Sequence, residues 1–162
     1  MSILGLLASN DQQLRREADR VGLPGIFLDQ LISNLYETMY FHNALGLACP
    51  QVGKGLKLAV MDSDGMKLTL INPEIVTVSE EMLNSKESCL SCPNIECTIP
   101  RHKEITIRNY DIQGNATEIK LTGQAAITAQ HEMDHLNGML ITYNLSSLKK
   151  HKYKREVKRV GR

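Results

Sequence analysis

Two histidines four residues apart, the first followed directly by a glutamate, stand in ITAQHEMDHLNGML, residues 127–140. On a helix, His131 and His135 share one face a turn apart, so both imidazoles can grip a single ion. Glu132, beside the first of them, is placed to accept a proton from water activated at that ion. The bland alternative is a helix that merely contains two hydrogen-bonded histidines. A catalytic metal site commonly has three protein ligands and one open position, so the third ligand separates the candidate chemistries. One protease pattern, H-E-x-x-H-x-x-G-x-x-H, holds here through Gly138 and ends at Ile141, where its ligand should stand. A second protease type takes a downstream glutamate. The only one is Glu156, embedded in the basic stretch KYKREVKR.

Upstream, Cys89 in KESCLSCP offers a thiolate. One thiolate with two imidazoles is a known catalytic zinc set, and soft sulfur beside imidazole also suits iron, nickel or cobalt. The residues around Cys89 are small and read as a link between strands. A rival is a separate structural knuckle of Cys89, Cys92 and Cys97. A single C-x-x-C with no second pair and no fourth ligand weighs against it. Cys49 is the remaining cysteine; in a cytoplasmic protein all four are expected as thiols or ligands rather than disulfides.

These residues need elements to hold them. With 162 residues, 42% hydrophobic and 23% charged, the chain suits one domain with a proper core, expected over 1–162. No apolar run nears the ~20 residues that cross a bilayer. The opening MSILGLLASND lacks the basic flank and the length of a secretory signal. A cytoplasmic protein without a membrane partner is expected. Residues 9–22, SNDQQLRREADRVG, offer cap candidates Ser9 to Asp11, apolar Leu14, Ala18 and Val21 at helical spacing, and Gly22 as a stop, which predicts a first helix. Leu28, Leu31, Ile32, Leu35 and Met39 predict a second, interrupted by Gly46 and Pro50. Strand signals follow in LKLAVMD and MKLTLIN around the turn SDG, then in EIVTV, KEITIRNY and ATEIKL. A long helix is predicted from about Thr122 to Asn137, ending near Gly138, and a basic terminal helix over about 147–162. The fold class is therefore α+β: short, mostly antiparallel strands around a central helix carrying HEMDH, with N-terminal helices and a C-terminal helix. From Lys149 onward there are eight Lys/Arg and one Glu, whereas the rest of the chain carries a net −6. Such a tail suits either a solvated helix or a contact with RNA.

Three segments, in order, resemble the motifs of the peptide deformylases, which remove the formyl group from the starting methionine of nascent bacterial-type proteins. ALGLACPQ (44–51) is similar to G-x-G-x-A-A-x-Q, ESCLS (87–91) to E-G-C-L-S, and QHEMDH (130–135) matches Q-H-E-x-D-H throughout. The resemblance implies a metal-dependent hydrolase of N-formylmethionyl peptides. It implies Cys89, His131 and His135 as ligands of one divalent ion per chain, Fe(II) in the cell, with Zn, Ni or Co able to substitute. It implies Glu132 as the catalytic acid/base, with the Gln51 side-chain amide and the Leu90 backbone N–H as donors to the developing oxyanion. Leu45 and Gly46 would line the slot for the peptide backbone, and Arg101 would lie near the substrate. A ribosome contact through the basic terminal helix is also implied, and the expected state is a monomer.

Three positions depart from the family pattern: Ala44 and Ser88 replace glycines, and Cys49 replaces an alanine. A Cβ removes backbone freedom and close approach, so Ala44 and Ser88 are expected to tighten the slot or slow the reaction, with activity surviving. Gln124 and Ala125 stand where family members often carry larger apolar residues. If their helix borders the methionine pocket, that pocket is wider or more polar here. Two other functional classes stay open: a small metalloprotease using the same helix with a different third ligand, and a non-catalytic ribosome-associating relative, prompted by the glycine replacements and the basic tail.

Overall fold

Alternating apolar residues on either side of SDG fold into a hairpin. In the computed structural model, which describes residues 2–22 and 26–160, β1 (Gly46–Ala48), β2 (Leu58–Ser63) and β3 (Met66–Ile71) form an antiparallel sheet in that order. The β2–β3 turn holds Asp64 and Gly65 at φ 52° and 71°, the two-residue geometry whose twist matches its strands. β4 (Glu74–Val78) leads into a long hairpin of β5 (Met82–Cys89) and β6 (Cys92–His102). The chain then returns as β7 (Glu104–Tyr110), which pairs with β4 on one side and with β8 (Ala116–Thr122) on the other.

The β5–β6 hairpin goes beyond the sequence expectation. The buried positions of β5 are Ser85, Glu87 and Cys89; with polar groups turned inward, the strand shows no apolar alternation. Cys89 is accordingly the last residue of a strand, opposed across the hairpin tip by Cys92, and not part of a link between strands.

Among the described residues, three α-helices complete the α+β fold. α1 (Ile26–Phe41) buries Leu35 and Met39 against β1 and β2, with Leu47, Leu58 and Val60. α2 (Gly123–Leu136), which carries HEMDH, packs on β1, β2, β6, β7 and β8. Its Ala125, Ala126, Ala129, Met133 and Leu136 meet Ala59, Met61 and Leu70 of the first sheet and Ile105, Ile107 and Leu121 of the second. Three alanines on this face let the helix lie close to both sheets, and each large side chain buried there contributes about 1.5–3 kcal/mol. α3 (Ser147–Val160) is the basic terminal helix, and the expected residues 161 and 162 lie outside the described residues. Among the described residues no helix is long and apolar enough to cross a membrane.

The first predicted helix is a correction. Only Gln12–Arg15 forms a 3-10 turn, capped by the Asp11 carboxylate, which accepts the Gln13 N–H at 2.9 Å. Arg16 is extended, and the chain continues as an arm. Ala18 N–H donates to Leu136 O at 2.9 Å, and Asp19 N–H to Gly55 O at 2.8 Å. These bonds to distant backbone replace those a helix would make internally. The arm crosses the end of α2 at Gly138, which sits at φ 72°; a Cβ there would meet the Arg15 carbonyl carbon at 2.7 Å.

Candidate active site

Helical spacing on α2 and the end of β5 bring three donor atoms together. Cys89 Sγ lies 3.3 Å from His135 Nε2, which lies 3.2 Å from His131 Nε2. The three ligand atoms fall within 4.8 Å of one another. His131 is fixed from behind. His131 Nδ1–H donates to Glu87 Oε1 at 2.9 Å, which leaves the Nε2 lone pair facing the cluster. Glu87 stands two residues before Cys89 on the same strand face, and both its oxygens accept from Arg101, Nη2 to Oε1 and Nε to Oε2, each at 2.8 Å. Arg101 Nη1 donates to Asp134 Oδ2 at 2.6 Å. Gln130 clamps α2 to β6, accepting the His102 N–H at 3.0 Å and donating to the His102 carbonyl at 2.9 Å.

Arg101 is thus a correction to the sequence reading. It is 5% exposed, with its guanidinium committed to two carboxylates, and it does not reach the cavity wall. The other candidates except the buried His135 do gather there. Leu45, Gly46, Gln51, Cys89, Leu90, His131 and Glu132 line a cavity of about 360 Å³. The Gln51 amide is oriented by the Ala48 N–H, which donates to its Oε1 at 2.9 Å; its Nε2 faces Ser91 Oγ at 3.3 Å and Cys89 Sγ at 3.6 Å. Ala44, Ser88, Gln124, Ile127 and Thr128 share the lining, whereas Ala125 turns into the core. Cys49 is buried beside α1, where desolvation pushes its thiol up to about 12.

Electrostatics separate the groups. The Cys92 thiol, hydrogen-bonded to Cys89, and the two imidazoles hold Cys89 well below the usual thiol range. Burial alone would depress His131, but its bonds to Cys89 and Glu87 outweigh this and raise it well above its ordinary value. Burial would also raise Glu87, yet Arg101 and His131 hold it at about 2. Glu132 goes the other way: desolvation pushes its carboxyl up to about 7, against the pull of His131 and His135. Glu132 Oε2 and His135 Nδ1 have no partner among the described residues, and buried polar atoms without partners are costly.

This donor set fits a divalent metal. One sulfur and two imidazole nitrogens converge with no carboxylate among them, and a neighbouring cavity gives access. Glu156 is exposed on α3 and Ile141 is buried in the core, so neither serves as a protease's third ligand. Cys92 and Cys97 do not join the group. Because metal ligation requires a deprotonated thiol and neutral imidazoles, affinity is expected to rise as pH is raised through neutrality, with protons released on binding. Chelator competition across that range, in lightly buffered solution, measures both.

A family model described as polypeptide deformylase matches residues 3–151. The chain belongs to this family. Peptide deformylases from Desulfotalea psychrophila and Blochmanniella pennsylvanica are 36% and 38% identical to it, covering 98% and 100% of this chain and 97% and 95% of theirs. A crystal structure of peptide deformylase from Ehrlichia chaffeensis in complex with actinonin superposes with a TM-score of 0.92 at 34% identity, covering 100% of this chain and 99% of that one. The Thermotoga maritima peptide deformylase gives 0.87 at 37% identity, over 90% and 99%. The chain is therefore an enzyme of a metal-dependent deformylase family that acts on formylated peptides, and the metalloprotease and non-catalytic readings fall away.

Proposed function

We propose that the chain removes the N-terminal formyl group from formylmethionyl peptides, with Cys89, His131 and His135 holding one divalent ion and Glu132 carrying the proton. What supports this most is the convergence of a thiol and two Nε2 atoms beside a buried carboxylate whose Oε2 is unpaired. When bound, the ion supplies Lewis-acid chemistry, polarising the formyl oxygen and acidifying water. Glu132, lifted toward neutrality by its burial, takes the proton of the attacking water and passes it to the departing amine, which leaves readily only when protonated. The Gln51 amide and the Leu90 backbone N–H donate to the oxygen on which charge develops. The edge of β1 that no strand pairs among the described residues, at Gly46 with Leu45 just before it, receives the peptide backbone as an added strand. Arg101 is a positioning residue acting through Glu87. The soft donor set accepts Fe(II) in the cell and Zn, Ni or Co in its place, and the working state is a cytoplasmic monomer.

The deciding measurement is formate release from a formylmethionyl peptide by protein reconstituted anaerobically with Fe(II) or Ni(II), alongside metal analysis. Fully loaded protein that releases none rejects the reading. Gly46 gives a finer test. A Cβ there would meet Glu132 Cδ at 2.7 Å and Cγ at 2.9 Å, so only glycine lets β1 pass so near the carboxylate. Gly46→Ala is expected to slow formate release about 10²-fold, since small misplacements of a catalytic group cost that much, while metal content stays at one ion per chain.

We assign the ribosome contact to the cleft of about 840 Å³ beside α3. Lys150, Lys154 and Lys158 line one side of it and Arg15 and Arg16 the other. Binding to RNA phosphates should weaken steeply as salt rises. Co-sedimentation with ribosomes at graded salt checks this, and truncation after Ser147 that leaves binding intact would overturn it.

A further inference from the structure

We propose that Cys92 is a resolving thiol: after hydrogen peroxide oxidises Cys89, the two close a reversible disulfide across the tip of the β5–β6 hairpin. The two cysteines are directly opposed partners in the antiparallel ladder. Such partners have Cα atoms about 4.5–5.5 Å apart, within the roughly 4.4–6.8 Å that a disulfide spans. Opposed residues project from the same face of a hairpin, and both cysteines are buried in one cluster. Cys97 shares the cluster but is opposed by Glu87, which leaves Cys92 as the partner.

Access differs between the two. Cys89 forms part of the cavity wall, whereas Cys92 is 1% exposed behind it, packed in the cluster that holds Ile99 and Tyr153. An oxidant entering the cavity therefore meets Cys89 first. The peroxide O–O bond breaks, one oxygen passes to the Cys89 sulfur to give a sulfenic acid, and one water leaves. The Cys92 sulfur then attacks the Cys89 sulfur, the S–O bond breaks, and its oxygen leaves as a second water with the Cys92 proton. Two thiols have lost two electrons and two hydrogens, and the peroxide has been reduced to two waters. Without a resolving thiol, a sulfenic acid is open to further oxidation to sulfinic and sulfonic acids, which thiol reductants do not reverse. Cys92 is buried enough to serve as an ordinary small core residue; its register opposite Cys89 is what gives it chemistry.

The disulfide stands on its own geometry, and the loss of metal that should accompany it rests on the proposed ligation by Cys89. The test uses the full chain loaded with Zn(II), which has no redox chemistry, exposed to graded hydrogen peroxide. Intact mass, differential thiol labelling and bound zinc are read before and after dithiothreitol. The expected result is one Cys89–Cys92 disulfide with loss of zinc, both reversed by dithiothreitol and fresh zinc. In Cys92→Ala, Cys89 gains two or three oxygens and recovery falls from nearly complete to nearly none, whereas Cys97→Ala behaves as the parent. Parent protein that accumulates sulfinic or sulfonic acid at Cys89 with Cys92 still free overturns the proposal, as does a Cys92–Cys97 bridge. A Cys89–Cys92 disulfide formed with zinc retained keeps the proposal and rejects the metal ligation instead.

Discussion

Glu132→Gln is expected to lower formate release by about 10²–10⁴-fold, the usual contribution of a positioned general acid/base, or about 2.7–5.5 kcal/mol of barrier. The amide matches the carboxylate in size and fills the same space between β1 and α2, but it cannot take a proton from water. The carboxylate is 3% exposed and lies outside the ligand group, so bound metal should stay at one ion per chain and the protein should unfold no earlier than the parent. A variant that lost both metal and activity would make Glu132 a structural residue. One that kept its rate within tenfold would move the proton role elsewhere. The kcat and KM should separate as well. Glu132 acts on the attacking water and the departing amine, so the loss should fall on kcat, with KM for the formyl peptide little changed.

Where chemistry depended on local spacing, it could be read from the chain. His131 and His135 share a helix face because four residues make about one turn, and the α2 pattern of apolar residues is intact on the opposite side. The β2–β3 hairpin was equally legible, with alternation on both arms and Asp64-Gly65 between them. The first helix was not, because Leu14 is buried by a short 3-10 turn and Ala18 by an extended arm whose backbone partners, Leu136 and Gly55, exist only once the rest has folded. The β5–β6 hairpin was hidden for a different reason. Its inward positions mix Ser85, Glu87 and Arg101 with Cys89, Cys92, Cys97 and Ile99, so the polar groups interrupt the apolar alternation that reveals a strand. Glu87 carried a usable signal, since residues two apart on a strand share a face and Cys89 follows it by two. The signal needed the strand to be known first. Placing Arg101 needed the register of two strands as well, which no local pattern supplies.

The largest effect on stability is expected at Arg101. Its guanidinium neutralises Glu87, which is itself buried, and it bonds Asp134 on α2, so it ties the β5–β6 hairpin to the helix that carries both histidines. Arg101→Met fills most of the space but leaves the Glu87 carboxylate buried without its cation. Breaking such a pair from one side costs about 3–5 kcal/mol, or a fall in Tm of roughly 6–20 °C for a domain of this size. Lysine restores the charge without the paired donors and should recover only part of the loss. Glu87 also fixes His131 through Nδ1, so metal affinity should drop about 10–100-fold, as when other partners of a ligating histidine are lost. Adding Glu87→Gln to Arg101→Met removes the stranded charge. The double variant should regain stability relative to the single one while its metal affinity stays low, a split that simple core damage would not produce. The pH dependence has a definite sign. Arg101 and His131 hold Glu87 at about 2 against an ordinary value of 4.5, so the stabilisation is complete above 4.5 and is lost as pH falls toward 2. The gap in unfolding free energy between parent and Arg101→Met should therefore be widest near neutrality and close across that acidic window. A gap that stayed constant with pH would mean that packing, rather than the buried carboxylate, is what Arg101 protects.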